Sequence, residues 1–227
     1  MSAAGPALPI TDRDAFIRAN TRLRAVSLTP EISLHLADEA VPLWKMTEDE
    51  LGEHGLPPPF WAFAWAGGQA LARYVLDNAD AVRGRRVLDL ASGSGLVGIA
   101  AMKAGAKCCL CADIDGFALT AIALNAHANR TAVSVTGDDL LETQGDWDVI
   151  LAGDIFYEQD TAARALTFAG RCLARGASVL IGDPGRSYLP KDRLEKLAEY
   201  SVPVTRELEG AEIKRTAVWT LAQRLLA

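Results

Sequence analysis

The feature that most constrains this chain is a rhythm that sets in at residue 61. Short apolar runs alternate with helical periods, and the apolar runs stop at aspartate. "RRVLDLA" precedes a glycine-rich turn and the helical "LVGIAAMKAG". "KCCLCADI" precedes a period carried by Leu119, Ile122 and Ala126. "VSVTGDD" and "WDVILAGD" follow, then a helix with Ala165, Leu166, Ala169 and Leu173, then "ASVLIGD". A helix opened by Pro190 with Leu194 and Leu197 is predicted next, and "VPVTREL" and "RTAVWTL" read as a closing hairpin about Gly210. Strands alternating with helices build a mainly parallel α/β sheet covered on both faces.

Such a sheet binds ligands at the carboxyl ends of its strands, where strand order reverses. Those ends read Asp89, Asp113, Asp138-Asp139, Asp154 and Asp183. Acids at five strand ends gathered on one edge are costly as unrelieved like charge. A ligand bearing hydroxyls, an amine or a cation would relieve them.

Residues 1–60 have a different texture and are expected to form an N-terminal helical extension and connector to a domain spanning 61–227. A helix is expected from about Thr11 to Val26, with a Thr47-x-x-Glu50 capping box and a stiff Pro57-Pro58-Pro59 link. The N-terminal "MSAAGPALPITDRD" lacks the basic and apolar regions of a secretory leader. No apolar run reaches the ~18 residues of a membrane span. The net charge of -6 disfavours non-specific nucleic-acid binding. Three of the four cysteines crowd into "KCCLCADI" and are expected to divide over two faces, with Cys109 apart from Cys108 and Cys111. That division suits buried thiols in a reducing compartment better than a zinc site, so no metal and a cytoplasmic location are expected.

Gly93-Ser94-Gly95-Leu96-Val97-Gly98 follows a strand, opens a helix and is followed by Asp113, which satisfies a dinucleotide fingerprint. Asp89, four residues before Gly93, would repel a pyrophosphate. It suits instead the ammonium of a methionine-type ligand. Asp113 would then hold ribose hydroxyls, and Asp138 an adenine amino group, with the next backbone N–H, that of Asp139, donating to the ring. This inventory describes S-adenosylmethionine (SAM), ahead of a nicotinamide cofactor or an empty tight turn.

"VLDLASGSGLVGIAA" resembles motif I of the seven-β-strand methyltransferases, with Ala91 at the first glycine of the usual pattern. Alanine fits there if the backbone needs no positive φ. "SLTPEISLHL", "PFWAFAWAGGQALARYVLDN", "ADIDGFALTAIALN", "LAGDIFYE" and "VLIGDPGR" narrow the likeness. Together they are similar to the protein-lysine methyltransferases that modify the β-subunit of electron transfer flavoprotein (ETF), from about Leu28 to Trp219. The resemblance implies a Rossmann-like, seven-stranded class I methyltransferase sheet with a C-terminal antiparallel hairpin, SAM as donor and lysine as acceptor.

The family's Asp-x-x-Tyr motif falls on Asp154 and Tyr157, the expected catalytic residues. Asp154 would orient the acceptor lysine or take its proton. Cofactor contacts are expected from Trp65, Asp89, Gly93, Gly95, Asp113, Ile114, Asp138, Asp139 and Gly153. Trp61, Phe156, Glu158, Asp183 and Arg186 are candidates for the acceptor channel. Trp61 and Trp65, four apart, would share one face of a helical turn, and Phe156 could equally be core. Adenine and glutamine methyltransferases on this fold carry a Pro-Pro-aromatic element where this chain reads "DIFYE", without proline. The remaining alternatives are another lysine-bearing protein (such as a ribosomal protein), a small-molecule amine, or a non-catalytic partner protein on this fold.

Overall fold

A computed structural model describes residues 12–38 and 58–222. The Thr47–Glu50 box and Pro57 lie outside the described residues. At the N-terminus, helix α1 (Arg13–Asn20) leads into an antiparallel pair, β1 (Arg22–Ala25) and β2 (Ser33–Leu36). The expected helix through Val26 therefore ends six residues early. Thr21 is extended, and its hydroxyl donates to the Ile17 carbonyl at 2.5 Å, closing the last turn. The partner strand outcompetes further helix by pairing four residues in register. Ile17 packs with Trp61, Phe117 and Ala121, which anchors α1 on the main body.

The main body alternates as expected. Helix α2 (Ala66–Asp77) precedes β3 (Arg86–Leu90), α3 (Leu96–Lys103), β4 (Cys108–Ala112), α4 (Gly116–Ala128) and β5 (Ser134–Thr136). Then come β6 (Val149–Gly153), α5 (Gln159–Ala174) and β7 (Ser178–Asp183). The chain closes through β8 (Leu194–Pro203), a short helix α6 (Arg206–Glu209) and β9 (Ile213–Leu221). The sheet order is β5-β4-β3-β6-β7-β9-β8. The first five strands are parallel, and β9 runs antiparallel between β7 and β8. This is the α/β seven-stranded sheet with a C-terminal hairpin that the resemblance implies.

The central strands are buried on both faces, as parallel strands between helices must be. Alternate side chains divide between two cores. Leu88, Ile150 and Val179 pack toward Phe156 and Phe168, while Val87, Leu151 and Leu180 pack toward Leu71 and Val97. Each such side chain contributes roughly 1.5–3 kcal/mol by leaving water.

Two expectations fail here. The segment after Pro190 is a single 3-10 turn, Lys191–Arg193, and then strand β8. Leu194 and Leu197 are spaced like helix neighbours but lie on a strand that a bulge between Lys196 and Ala198 interrupts, with Leu194 alone buried. Leu197, at the bulge, faces solvent. The cysteine division is also corrected. Residues two apart on a strand share a face, so Cys109 and Cys111 are buried together and Cys108 is exposed.

Candidate active site

The chain leaves β3 outward to β4 and β5, then returns across to β6. This reversal opens a cleft of about 410 Å³ between the carboxyl ends of β3 and β6. Its position follows from topology, and the residues in it are those at the strand ends.

Asp89 is 1 % exposed on β3, and its Oδ2 accepts the Gly98 N–H of α3 at 2.8 Å. Burial pushes its carboxyl up to about 7 despite that bond. The following loop holds Ala91, Gly93 and Gly95 at φ of 52, 52 and 78°. Ala91 thus does adopt a positive φ, contrary to the expectation that let alanine replace glycine. The loop's closure imposes this left-handed turn, at about 1–2 kcal/mol for a residue with a Cβ.

Asp113, just past β4, ties itself to that loop. Its Oδ2 accepts from Gly93 N–H at 2.8 Å and its Oδ1 from Asp115 N–H at 3.0 Å. Burial raises its pKa above the ordinary aspartate value. Ile114 beside it is 76 % exposed, an apolar side chain left open on the cleft wall. Beyond β5, Asp138 accepts from the Thr136 hydroxyl at 2.7 Å. Asp139 accepts from Leu141 N–H and pairs with Arg164 at 2.6 Å.

The start of α2 presses directly on the ends of β6 and β7. A Cβ on Gly182 would stand 2.1 Å from the Gly67 carbonyl oxygen, and one on Gly153 2.9 Å from Gly68 Cα. That contact brings Asp154, at φ 54°, under the helix N-terminus, where its Oδ2 accepts the Gly68 N–H at 2.9 Å. Its Oδ1 accepts from Arg186 Nε at 3.0 Å and from Nη2 at 2.7 Å. Burial pushes the Asp154 carboxyl up to about 6 while the Arg186 charge opposes the rise.

Trp65 caps α2, donates its indole N–H to the Phe60 carbonyl at 2.9 Å, and has the Arg186 guanidinium 5.6 Å from its ring centroid. Tyr157 is half-exposed and packs on Phe60 with ring centroids 5.3 Å apart. Burial raises the Tyr157 pKa, with Glu158 and Asp113 adding to it. Of the sequence candidates, Trp61, Trp65, Asp89, Gly93, Asp113, Ile114, Asp138, Asp139, Gly153, Asp154, Tyr157 and Arg186 all line the cleft.

Several candidates fall elsewhere. Phe156 is 1 % exposed in the core, because the turn after β6 sends it inward. Asp183 is buried behind Arg186, where its Oδ1 accepts the Gly185 and Arg186 N–H groups and shapes the loop. Glu158 is exposed at the start of α5 beside Thr161. Gly95 supports the loop from below, against Ile122. Trp61 and Trp65 share no helical face. Trp61 sits in a 3-10 turn stacked on Phe117, and Trp65 lies beyond its end. Sequence reading missed Phe60 and Glu209, the latter a buried partner of Arg186 on α6. Phe60 lies in the "PFWAFAWAGGQALARYVLDN" stretch beside Trp61, whereas Glu209 lies outside every such stretch and only the tertiary fold brings it to the site.

Residues 69–158 match the family model of ribosomal protein L11 methyltransferase (PrmA). Over 90% of its length the chain is 40% identical to the electron transfer flavoprotein beta subunit lysine methyltransferase of Rattus norvegicus, 82% of which is covered. The Homo sapiens protein of the same name is 39% identical over 90% of this chain and 80% of its own. The chain belongs to the electron transfer flavoprotein beta subunit lysine methyltransferase family.

The fold of this family member agrees with that assignment. A magnesium protoporphyrin IX methyltransferase from Synechocystis PCC 6803, solved with bound SAH, aligns with a TM-score of 0.50 at 14% identity. It covers 68% of this chain and 81% of its own. At that identity the likeness speaks for the class I methyltransferase fold alone.

Proposed function

We propose that this chain is a SAM-dependent protein-lysine N-methyltransferase acting on the β-subunit of electron transfer flavoprotein. Family membership supports the reaction. The observation that carries it to named residues is the presence of Asp154 and Tyr157 in one cleft with the glycine loop and Asp113.

The residues present fit SAM. Gly93 lets the loop backbone approach a ligand closely, Asp113 offers lone pairs to ribose hydroxyls, and Ile114 offers an apolar wall to the adenine, with Asp138 and the Asp139 N–H at its edge. Asp89, whose charged form burial disfavours, gains by facing an ammonium. When bound, SAM supplies an electrophilic methyl on a sulfonium.

The chain's own task is to present an uncharged amine. A lysine ammonium has a reference pKa of ~10.4 and must lose a proton before its nitrogen can attack. Asp154 draws the cation in, and the fixed guanidinium of Arg186 favours the neutral form. Each Asp154 oxygen already accepts at least one N–H, so Asp154 orients the amine and the proton leaves to water. Arg186 stands over Trp65. Tyr157 is then the aromatic face for the acceptor, a contact worth roughly 0.5–2 kcal/mol. Alignment and proximity supply much of the acceleration.

A second reading, a ribosomal protein as acceptor, draws on the PrmA match. We place the enzyme in the cytoplasm, with which its four free cysteines are consistent. Among the described residues no helix is long and apolar enough to cross a membrane. Incubating a whole-cell extract with the enzyme and radiolabelled SAM tests the proposal. A labelled band of ETF β-subunit size supports it, and label confined to small molecules contradicts it.

A further inference from the structure

Glu209 lies just beyond "VPVTREL", yet its carboxylate is a deeply buried partner of Arg186 on the acceptor side. It ends α6 on the β8–β9 connection, with its side chain 2 % exposed. A carboxylate so buried requires charged and hydrogen-bonding partners. Arg186 donates from Nη1 to Oε2 at 3.0 Å and from Nη2 to Oε1 at 2.7 Å, a two-pronged pair. The Ala66 N–H at the start of α2 reaches Oε1 at 3.5 Å. Lys214 stands 3.6 Å from Oε2 and donates to the Glu209 main-chain carbonyl at 3.0 Å.

The other edge of Arg186 serves Asp154. One guanidinium is therefore shared by two carboxylates, one from the end of β6 and one from the hairpin. The same two carboxylates also meet the first turn of α2, at Gly68 and Ala66. Swinging Arg186 away from this arrangement breaks four hydrogen bonds at once.

We propose that Glu209 is a positioning residue for methyl transfer, pinning Arg186 so that Asp154 keeps one orientation toward the acceptor amine. This rests on Asp154 being the acid on the acceptor side. Arg186 takes Oδ1 of Asp154 and the Gly68 N–H takes one lone pair of Oδ2, so the lone pair left for the amine points where Arg186 holds the carboxylate. A guanidinium held at one edge only would rotate, carrying a positive charge toward the place the amine must occupy.

The test uses the full-length chain and a cycle of Glu209→Gln, Arg186→Lys and the double variant. Glu209→Gln keeps the shape and one acceptor oxygen but removes the charge, and each variant's fold is checked by circular dichroism before its turnover is read. Expected is a fall in kcat on the protein acceptor of about tenfold, with the KM for SAM within about twofold. Lysine lacks the fork, so the double variant is expected to be no worse than Arg186→Lys alone. Wild-type turnover by Glu209→Gln, or losses that multiply, would overturn the proposal. A second readout needs no acceptor: the water exchange of the Arg186 Nε–H, followed by NMR on arginine-labelled protein. Faster exchange in Glu209→Gln is expected, and an unchanged rate contradicts the pinning. Should wild type leave ETF β-subunit unmethylated, the substrate reading falls on that result, and the exchange rate still decides the role of Glu209.

Discussion

Arg186 gives two of its N–H groups to a single oxygen of Asp154, Oδ1, and leaves Oδ2 to the Gly68 N–H. The acid at the heart of the Asp-x-x-Tyr motif is thus already compensated before an acceptor arrives. Its negative charge is opposed by a cation that Glu209 shares. The acceptor amine meets a rigid, partly compensated acid rather than an open carboxylate, one that attracts it and fixes its direction.

Asp154→Ala is expected to lower methyl transfer by at least about a hundredfold, since an orienting group acts in the transition state. SAM affinity by calorimetry should stay near wild type, because the glycine loop, Asp113 and Asp138 follow β3, β4 and β5 and make no hydrogen bond to Asp154. Turnover like wild type would remove Asp154 from the reaction.

Asp113→Ala should do the reverse. It removes the acceptor of the Gly93 and Asp115 N–H groups and the partner proposed for the ribose. Calorimetric Kd for SAM is expected to rise about tenfold or more, at 1.5–3 kcal/mol for a hydrogen bond to a charged group. Unchanged affinity would overturn the ribose assignment.

Ala91→Gly is expected to stabilise the protein. The residue sits at φ 52°, where a Cβ is strained. Relief of about 1–2 kcal/mol, less the ~0.4–1 kcal/mol entropy cost of glycine, leaves a gain of roughly 0–1.6 kcal/mol in denaturant unfolding. A loss of stability would show the strain to be absorbed elsewhere.

The buried acids set a pH dependence of stability. Burial raises Asp89 to about 7 and Asp115 and Asp154 each to about 6. An unfolded aspartate titrates near ~3.9, so between there and pH 7 the folded state holds more protons than the unfolded state. Stability without ligand should therefore decline as pH rises from about 4 to about 7. Thermal melts should show that slope, and Asp89→Asn should flatten it. A melting temperature that climbs across the window in wild type would contradict these environments.

Much of the site was readable in sequence because the parallel sheet leaves little choice: its ligand edge is the carboxyl end, and Asp89, Asp113, Asp138 and Asp154 are placed there by strand length alone. What escaped was what sequence spacing does not encode. Leu194 and Leu197 have helical spacing, yet they lie on a bulged strand that buries Leu194 and exposes Leu197. The left-handed Ala91 is imposed by loop closure and leaves no trace in residue type. Phe156 shares a motif with Tyr157, yet one turn of backbone sends the first into the core and the second into the cleft. Glu209 meets Arg186 across 23 residues of chain, past a strand, β8, that begins where the spacing of Leu194 and Leu197 predicts a helix.

The most direct measurement is peptide mass analysis of purified ETF β-subunit after incubation with the enzyme and SAM. Methyl additions confined to lysine side chains, absent when Asp154→Ala replaces wild type, are the expected result. An ETF β-subunit left unmodified by wild-type enzyme that binds SAM normally would contradict the proposed function.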